Sequence, residues 1–244
     1  MFKLIKCEFL KLNHMISIII SFLFPLLCII VGFININSGK VKISGADQMW
    51  NAIYVQSASL YGGILFPAFL CIIIAMQWRI EFKNNNINNL LITDIPQSHI
   101  YLSKMITTFL VATLNIIIYI IIIFTAVKVF LPKETVKSFV FYSPLIGLIS
   151  SLPLICIQHF LSMNFKNFAL PLTIGIILSF PNAIISCYSF SKFFPYSYIC
   201  RGMFFNVSSN LTLKFENYLF ICIAILFIVL TSIGINIFKN KDFR

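Results

Sequence analysis

The sequence predicts an all-α membrane protein with six transmembrane helices, and three observations carry that prediction. Hydrophobic residues make up 59% of the 244 residues and charged residues only 10%, with a mean hydropathy of +0.96; a soluble domain is about half apolar and about a quarter charged. Six uncharged apolar runs are each long enough for a hydrocarbon core of roughly 30 Å. Backbone polar groups in lipid must be satisfied within their own segment, so runs of this kind form helices. One membrane domain, residues 1–244, accounts for the whole chain.

Residues 1–14 read as an interfacial helix. At 100° per residue Phe2, Ile5, Phe9 and Leu12 share one face, with Lys3, Lys11 and His14 opposite and Glu8 to one side, the pattern of a helix lying in the headgroup plane. The competing reading is a plain extension of the first span. No small-x-small site follows, which argues against a cleaved signal peptide. The spans cover about 15–36, 60–78, 105–127, 139–163, 168–190 and 218–238. Pro25, Pro67, Pro153 and Pro181 fall inside them and predict kinks, whereas Pro171 suits a first turn. The connections 37–59 and 191–217 are long, and Asn164–Asn167 makes a tight hairpin. Six spans put both termini on one side. That side holds Lys3, Lys6, Lys11, Arg79, Lys83, Lys104, Lys166, Lys239, Lys241 and Arg244, against Lys40, Lys42, Lys128, Lys133, Lys137, Lys192, Arg201 and Lys214 opposite. The small excess favours cytoplasmic termini.

The connection 79–104, RIEFKNNNINNLLITDIPQSHIYLSK, is unlike the rest. Arg79, Glu81, Lys83, Asp94 and Lys104 are charged. Ile87, Leu90 and Leu91 fall at i, i+3 and i+4, so a short helix would present one apolar face. Pro96 pushes Ile95 out of helical geometry, and a new long helix starts near Ser98.

Catalytic patterns are absent. The acidic residues Glu8, Asp47, Glu81, Asp94, Glu134, Glu216 and Asp242 all lie outside the apolar runs, whereas proton relays carry ionisable groups at depth. There is no HExxH, no GxSxG and no GxxxxGK[ST], so no metalloprotease site, no nucleophile elbow and no phosphate cradle for ATP. The cysteines form no CxxC pair and read as buried small hydrophobes, with no metal site. The net charge of +11 serves topology and anionic headgroups rather than nucleic acid. Four polar residues do lie inside spans: Asn115, Gln158, His159 and Asn182. They read either as helix–helix contacts or as pathway groups. The aromatic stretch Phe193–Phe205 reads as an interfacial belt or as re-entrant helices that meet an amphiphilic substrate.

Four features together resemble the ABC-2 export permeases, in particular the lantibiotic-immunity and bacitracin-resistance permeases of low-GC Gram-positive bacteria. They are Leu4, Glu8, Lys11 and Leu12 on the interfacial helix; Glu81, then Leu90-Leu91-Ile92-Thr93-Asp94-Ile95-Pro96 and Lys104; the tight hairpin; and Phe194-Pro195-Tyr196-Ser197-Tyr198. The basic residue expected beyond the turn falls to His99 or is missing. The resemblance implies a permease without catalytic residues in the bacterial cytoplasmic membrane. It implies a partner ATP-binding cassette ATPase carrying ATP and Mg, and a second permease, homologous or identical. Glu81, Ile87, Leu90, Leu91, Thr93 and Pro96 would form the ATPase-coupling element, with Ile87, Leu90 and Leu91 seated in an ATPase cleft. The cargo would be a membrane-inserted amphiphilic antimicrobial peptide. Alternatives are a lipid or drug cargo, or a scaffold or enzyme without transport.

Overall fold

A computed structural model describes residues 1–12, 14–38, 46–83, 86–92, 95–130, 137–186, 188–207 and 218–241. The described residues are helical throughout, as expected. Helix α1 (Phe2–Lys11) stops where Leu12 turns extended, and α2 (His14–Asn37) follows, so His14 already belongs to the next element. Helix α3 (Ala46–Leu60), a π-helical turn at Tyr61–Leu65 and α4 (Phe66–Phe82) run on as one rod. The connection expected over 37–59 is therefore helical from Ala46. Asp47, Gln48, Asn51 and Gln56 depress its hydropathy, yet Ile53, Tyr54, Ser57 and Ala58 bury one helical face.

Helix α5 (Asn86–Leu91) is the short element expected in the polar connection. Helix α6 (Gln97–Phe130) starts one residue from the expected point. Helices α7 (Phe139–Ser150) and α8 (Leu152–Asn164) divide the fourth run at Ser151. Pro153 has no N–H for the Ile149 carbonyl, and the Ser151 hydroxyl bonds the Leu148 carbonyl at 2.6 Å. Helix α9 (Ala169–Ser179) follows the hairpin, then α10 (Asn182–Ile185), a 3₁₀ turn at Ser189–Phe193, α11 (Ser197–Met203) and α12 (Tyr218–Asn240).

Among the described residues, five helical segments are long and apolar enough to cross a membrane: 17–37, 51–82, 97–130, 139–164 and 218–240. The expected span 168–190 is not among them. Pro181 stops it after the 11 residues of α9, roughly 16 Å of helix against a core of roughly 30 Å.

The central element is the rod, with 67% of its apolar window buried against 17% for α12. Its buried aromatics, Tyr54, Tyr61, Phe66, Phe69 and Trp78, form the spine of the core. Within the aromatic stretch Phe193 is exposed, while all seven residues of helix α11 are buried. Gly202 permits this: a Cβ there would lie 2.6 Å from Ser150 Oγ and 2.9 Å from Gly147 Cα. Tyr54 Oη donates to the Met203 carbonyl (2.8 Å) and Ser143 Oγ to the Phe205 carbonyl (2.7 Å), so the stretch turns back into the bundle.

Candidate functional site

Four charged side chains from three helices meet at one end of the bundle. Lys104, on the second turn of α6, is 1% exposed and donates to Glu8 Oε2 at 2.7 Å and Glu81 Oε1 at 2.8 Å. Lys11, at the end of α1, donates to Glu81 Oε1 at 2.8 Å and Glu8 Oε1 at 3.1 Å. Two carboxylates and two ammonium groups thus close a neutral ring that ties α1, α4 and α6. Burial works against the charge of Lys11, but the Glu81 hydrogen bond and the attraction of both carboxylates outweigh it and raise its pKa. Burying charges this thoroughly is tolerated only when each is paired and hydrogen-bonded.

This ring corrects one expectation. Glu81 and Lys104 are helix residues inside the protein, not members of a solvated loop. Among the described residues the buried basic partner of Glu81 is Lys104, and His99 is exposed. The α1 stripe is graded: Phe2 is 91% exposed, Ile5 and Phe9 are half-buried, and Leu12 is buried. The polar side of α1 is what carries Glu8 and Lys11 into the ring.

The coupling stripe faces inward. Ile87 is 3% exposed and Leu90 packs on the same core, so these two do not form a free docking face. A helix in a hydrophobic molecule has its own chain as its nearest apolar partner, which periodicity alone does not distinguish from another subunit. Outward lie Asn86, Ile92 at 82% exposure, and Pro96. Thr93 and the side chain of Leu91 fall outside the described residues. Beside the ring, a cavity of about 410 Å³ is bordered by Leu4, Glu8, Glu81, Asn86, Leu90 and Ile95, among others.

A polar chain leads from the ring into the bundle. Lys104 Nζ sits 5.6 Å from the Trp78 ring centroid. Trp78 Nε1 donates to His159 Nδ1 at 3.0 Å. Indole has no acceptor, so Nδ1 must be bare and the proton of a neutral ring lies on Nε2. That N–H faces Thr108 Oγ1 at 3.0 Å, whose own proton can go to Gln77 Oε1 at 2.9 Å. Tyr101 and Phe238 box the same imidazole and indole edge-on.

The four intramembrane polar residues are all fully buried, each bonded across helices. Two of them meet carbonyls in turns where a proline removes a donor. Pro25 leaves the Ser21 carbonyl without its i+4 donor, and Asn115 Nδ2 supplies one at 3.2 Å. Pro67 leaves the π-helical turn before it one donor short, and Asn182 Nδ2 supplies one to the Gly63 carbonyl at 2.9 Å. Gln158 Nε2 bonds the Pro171 carbonyl at 2.8 Å.

A family model described as ABC-2 family transporter protein matches residues 4–182, which takes in the ring, the polar chain and both asparagine-bonded carbonyls. The chain belongs to the ABC-2 family. It is a multi-pass transmembrane permease of an ABC transporter, and the family implies an ATPase partner. No curated protein matches the chain. Sequence reasoning on this ABC-2 permease missed the ring and the Trp78–His159–Thr108 chain. The only signal was that Glu8, Lys11, Glu81 and Lys104 stood together among the motif residues.

Proposed function

We propose that this permease exports a membrane-inserted amphiphile, an antimicrobial peptide of the lantibiotic kind, driven by a separate ATPase docked at the end that carries the ion ring. Supporting this is the ring itself. It fastens three helices directly under the 83–96 connection, so force applied there reaches α1, α4 and α6 together. The chain carries no phosphate loop, which leaves ATP and Mg to the partner and all catalysis with it. In this reading the ATPase meets the outer surface around Asn86, Ile92 and Pro96, while Ile87 and Leu90 fix α5 to the bundle. Both termini and α5 face the cytoplasm, the broken segment from α9 to α11 carrying the chain back across in place of a sixth straight span, since Lys241 just past α12 bonds the Met163 carbonyl at 3.1 Å beside the hairpin. Helix α1 lies at the membrane surface with Phe2 in the headgroups. A second permease, identical or homologous, completes the pathway.

The test reconstitutes the permease with its ATPase in vesicles and measures hydrolysis and peptide resistance. Ile92→Asp should leave the protein inserted and thermally unchanged while lowering permease-stimulated hydrolysis at least about tenfold, the loss of roughly 1.4 kcal/mol of docking energy. Full stimulation with Ile92→Asp would end the docking assignment. Stimulation by lipids or drugs, but not by peptide, would replace the cargo.

A further inference from the structure

The half of the bundle remote from the ion ring holds a cation with no counter-charge among the described residues. Arg201 on α11 is 3% exposed. Its Nη2 donates to the Tyr188 carbonyl at 3.3 Å, and its Nε and Nη1 have no acceptor among the described residues. A guanidinium stays charged and brings five N–H donors. Burying it with most of them unmet is costly unless an anion joins it. The sequence from 186 to 207 offers no Asp or Glu.

The surroundings are donors as well. The Tyr218 hydroxyl, at the start of α12, is buried without a partner. Lys192 Nζ lies 5.1 Å from the Tyr218 ring centroid. Tyr198 Oη donates to the Lys192 carbonyl at 2.6 Å, and Tyr218 packs against the cluster that Tyr198 forms with Leu219 and Ile223. Arg201 and the Tyr218 hydroxyl thus lie on either side of Tyr198 at one corner, each with donors unmet among the described residues. Tyr188, Phe190 and Phe193 stand exposed on the adjoining turn, an apolar surface beside a cationic one.

We propose that this corner binds a phosphate-bearing amphiphile. Arg201 holds the phosphate, Tyr218 Oη adds a bond, and Tyr188, Phe190 and Phe193 lie along the apolar chain. Tetrahedral phosphate offers acceptors to donors arriving from several directions, whereas a carboxylate offers them only in its plane. The site is independent of the transport reading above, since binding needs neither ATPase nor cargo peptide.

The test is native mass spectrometry of the purified full chain in mild detergent, titrated with phosphatidylglycerol, diacylglycerol and inorganic phosphate. Phosphatidylglycerol should bind and diacylglycerol should not. Arg201→Gln should weaken phosphatidylglycerol by about 10- to 100-fold, the worth of charge-assisted hydrogen bonds. Tyr218→Phe should weaken it by about 2- to 10-fold, and it buries no new charge, so it reports even if the Arg201 variant misfolds. Equal binding by the parent and both variants would overturn the proposal. Inorganic phosphate displacing the lipid at matched concentration would overturn it in favour of a free-anion site. If Glu216→Gln lowered thermal stability as Arg201→Gln does, and the double variant lost no more, the counter-ion would be the chain's own carboxylate and the proposal would fall.

Discussion

Lys104→Met strikes the ion ring at its most buried member. It strips Glu8 Oε2 of its 2.7 Å partner and Glu81 of one of its two, leaving two buried carboxylates to share Lys11. Breaking a buried pair by removing one partner costs about 3–5 kcal/mol, mostly from the uncompensated charge. At about 2–4 °C per kcal/mol for a chain of this size, the thermal midpoint should fall on the order of 10 °C. Lys11→Met should cost far less, because its side chain is 35% exposed and pairs in that setting are worth about 0–1 kcal/mol. Adding Glu81→Gln to Lys104→Met removes the surplus charge and should recover part of the loss. Intrinsic tryptophan fluorescence of the detergent-purified protein during heating measures the parent, these three variants and Glu81→Gln alone. Equal shifts for Lys104→Met and Lys11→Met, or simple additivity between positions 81 and 104, would refute the idea that one buried ring holds these helices.

Asn182→Leu should cost about 0.6–2 kcal/mol, the range for interhelical hydrogen bonds in membrane proteins. In a Pro67→Ala background, where the turn regains a backbone donor and can return to α-helical register, thermal melts should find that cost reduced; the same cost in both backgrounds would mean Pro67 is not the reason for Asn182. Gly234→Ala places a methyl on the Tyr101 hydroxyl and should destabilise by about 1–3 kcal/mol of overpacking. Tyr101→Phe in the same chain should return part of that, and an unchanged midpoint for Gly234→Ala would contradict the packing.

Much of the fold was legible because apolar run length is a direct readout of bilayer thickness. It misled where composition and burial part company. Residues 46–59 carry enough Asp, Gln, Asn and Ser to look like a loop, yet Ile53, Tyr54, Ser57 and Ala58 bury one face of the helix in protein, which leaves the far face free to carry polar groups. The run 168–190 is apolar throughout, so hydropathy saw one span, while Pro181 cut it by removing a donor. The site was half legible. The period of Ile87 and Leu90 located α5 correctly, but periodicity says only that a face is apolar, not which molecule covers it. Glu81 and Lys104 looked like solvated punctuation because their partners, Glu8 and Lys11, lie some 70 to 100 positions away in sequence. Arg201 gave no sequence signal at all, since nothing marks a basic residue in an aromatic stretch as buried.

A buried ion ring is weak as a source of stability, since desolvation offsets most of its attraction, so its presence needs another reason. Register is the best one. The four contacts lie between 2.7 and 3.1 Å, and a slide of α4 past α6 by one helical turn, about 5.4 Å, would break every bond that Glu81 makes. An apolar contact there would merely repack. The ring therefore defines one arrangement of α1, α4 and α6 and makes other arrangements costly. Through Trp78, that preference extends to His159 and Thr108, whose hydrogen bonds run in one direction only while the imidazole is neutral. Under the docking proposed above, force from the 83–96 connection would meet such a latch: rigid in one register, and released when the helices beneath the connection shift.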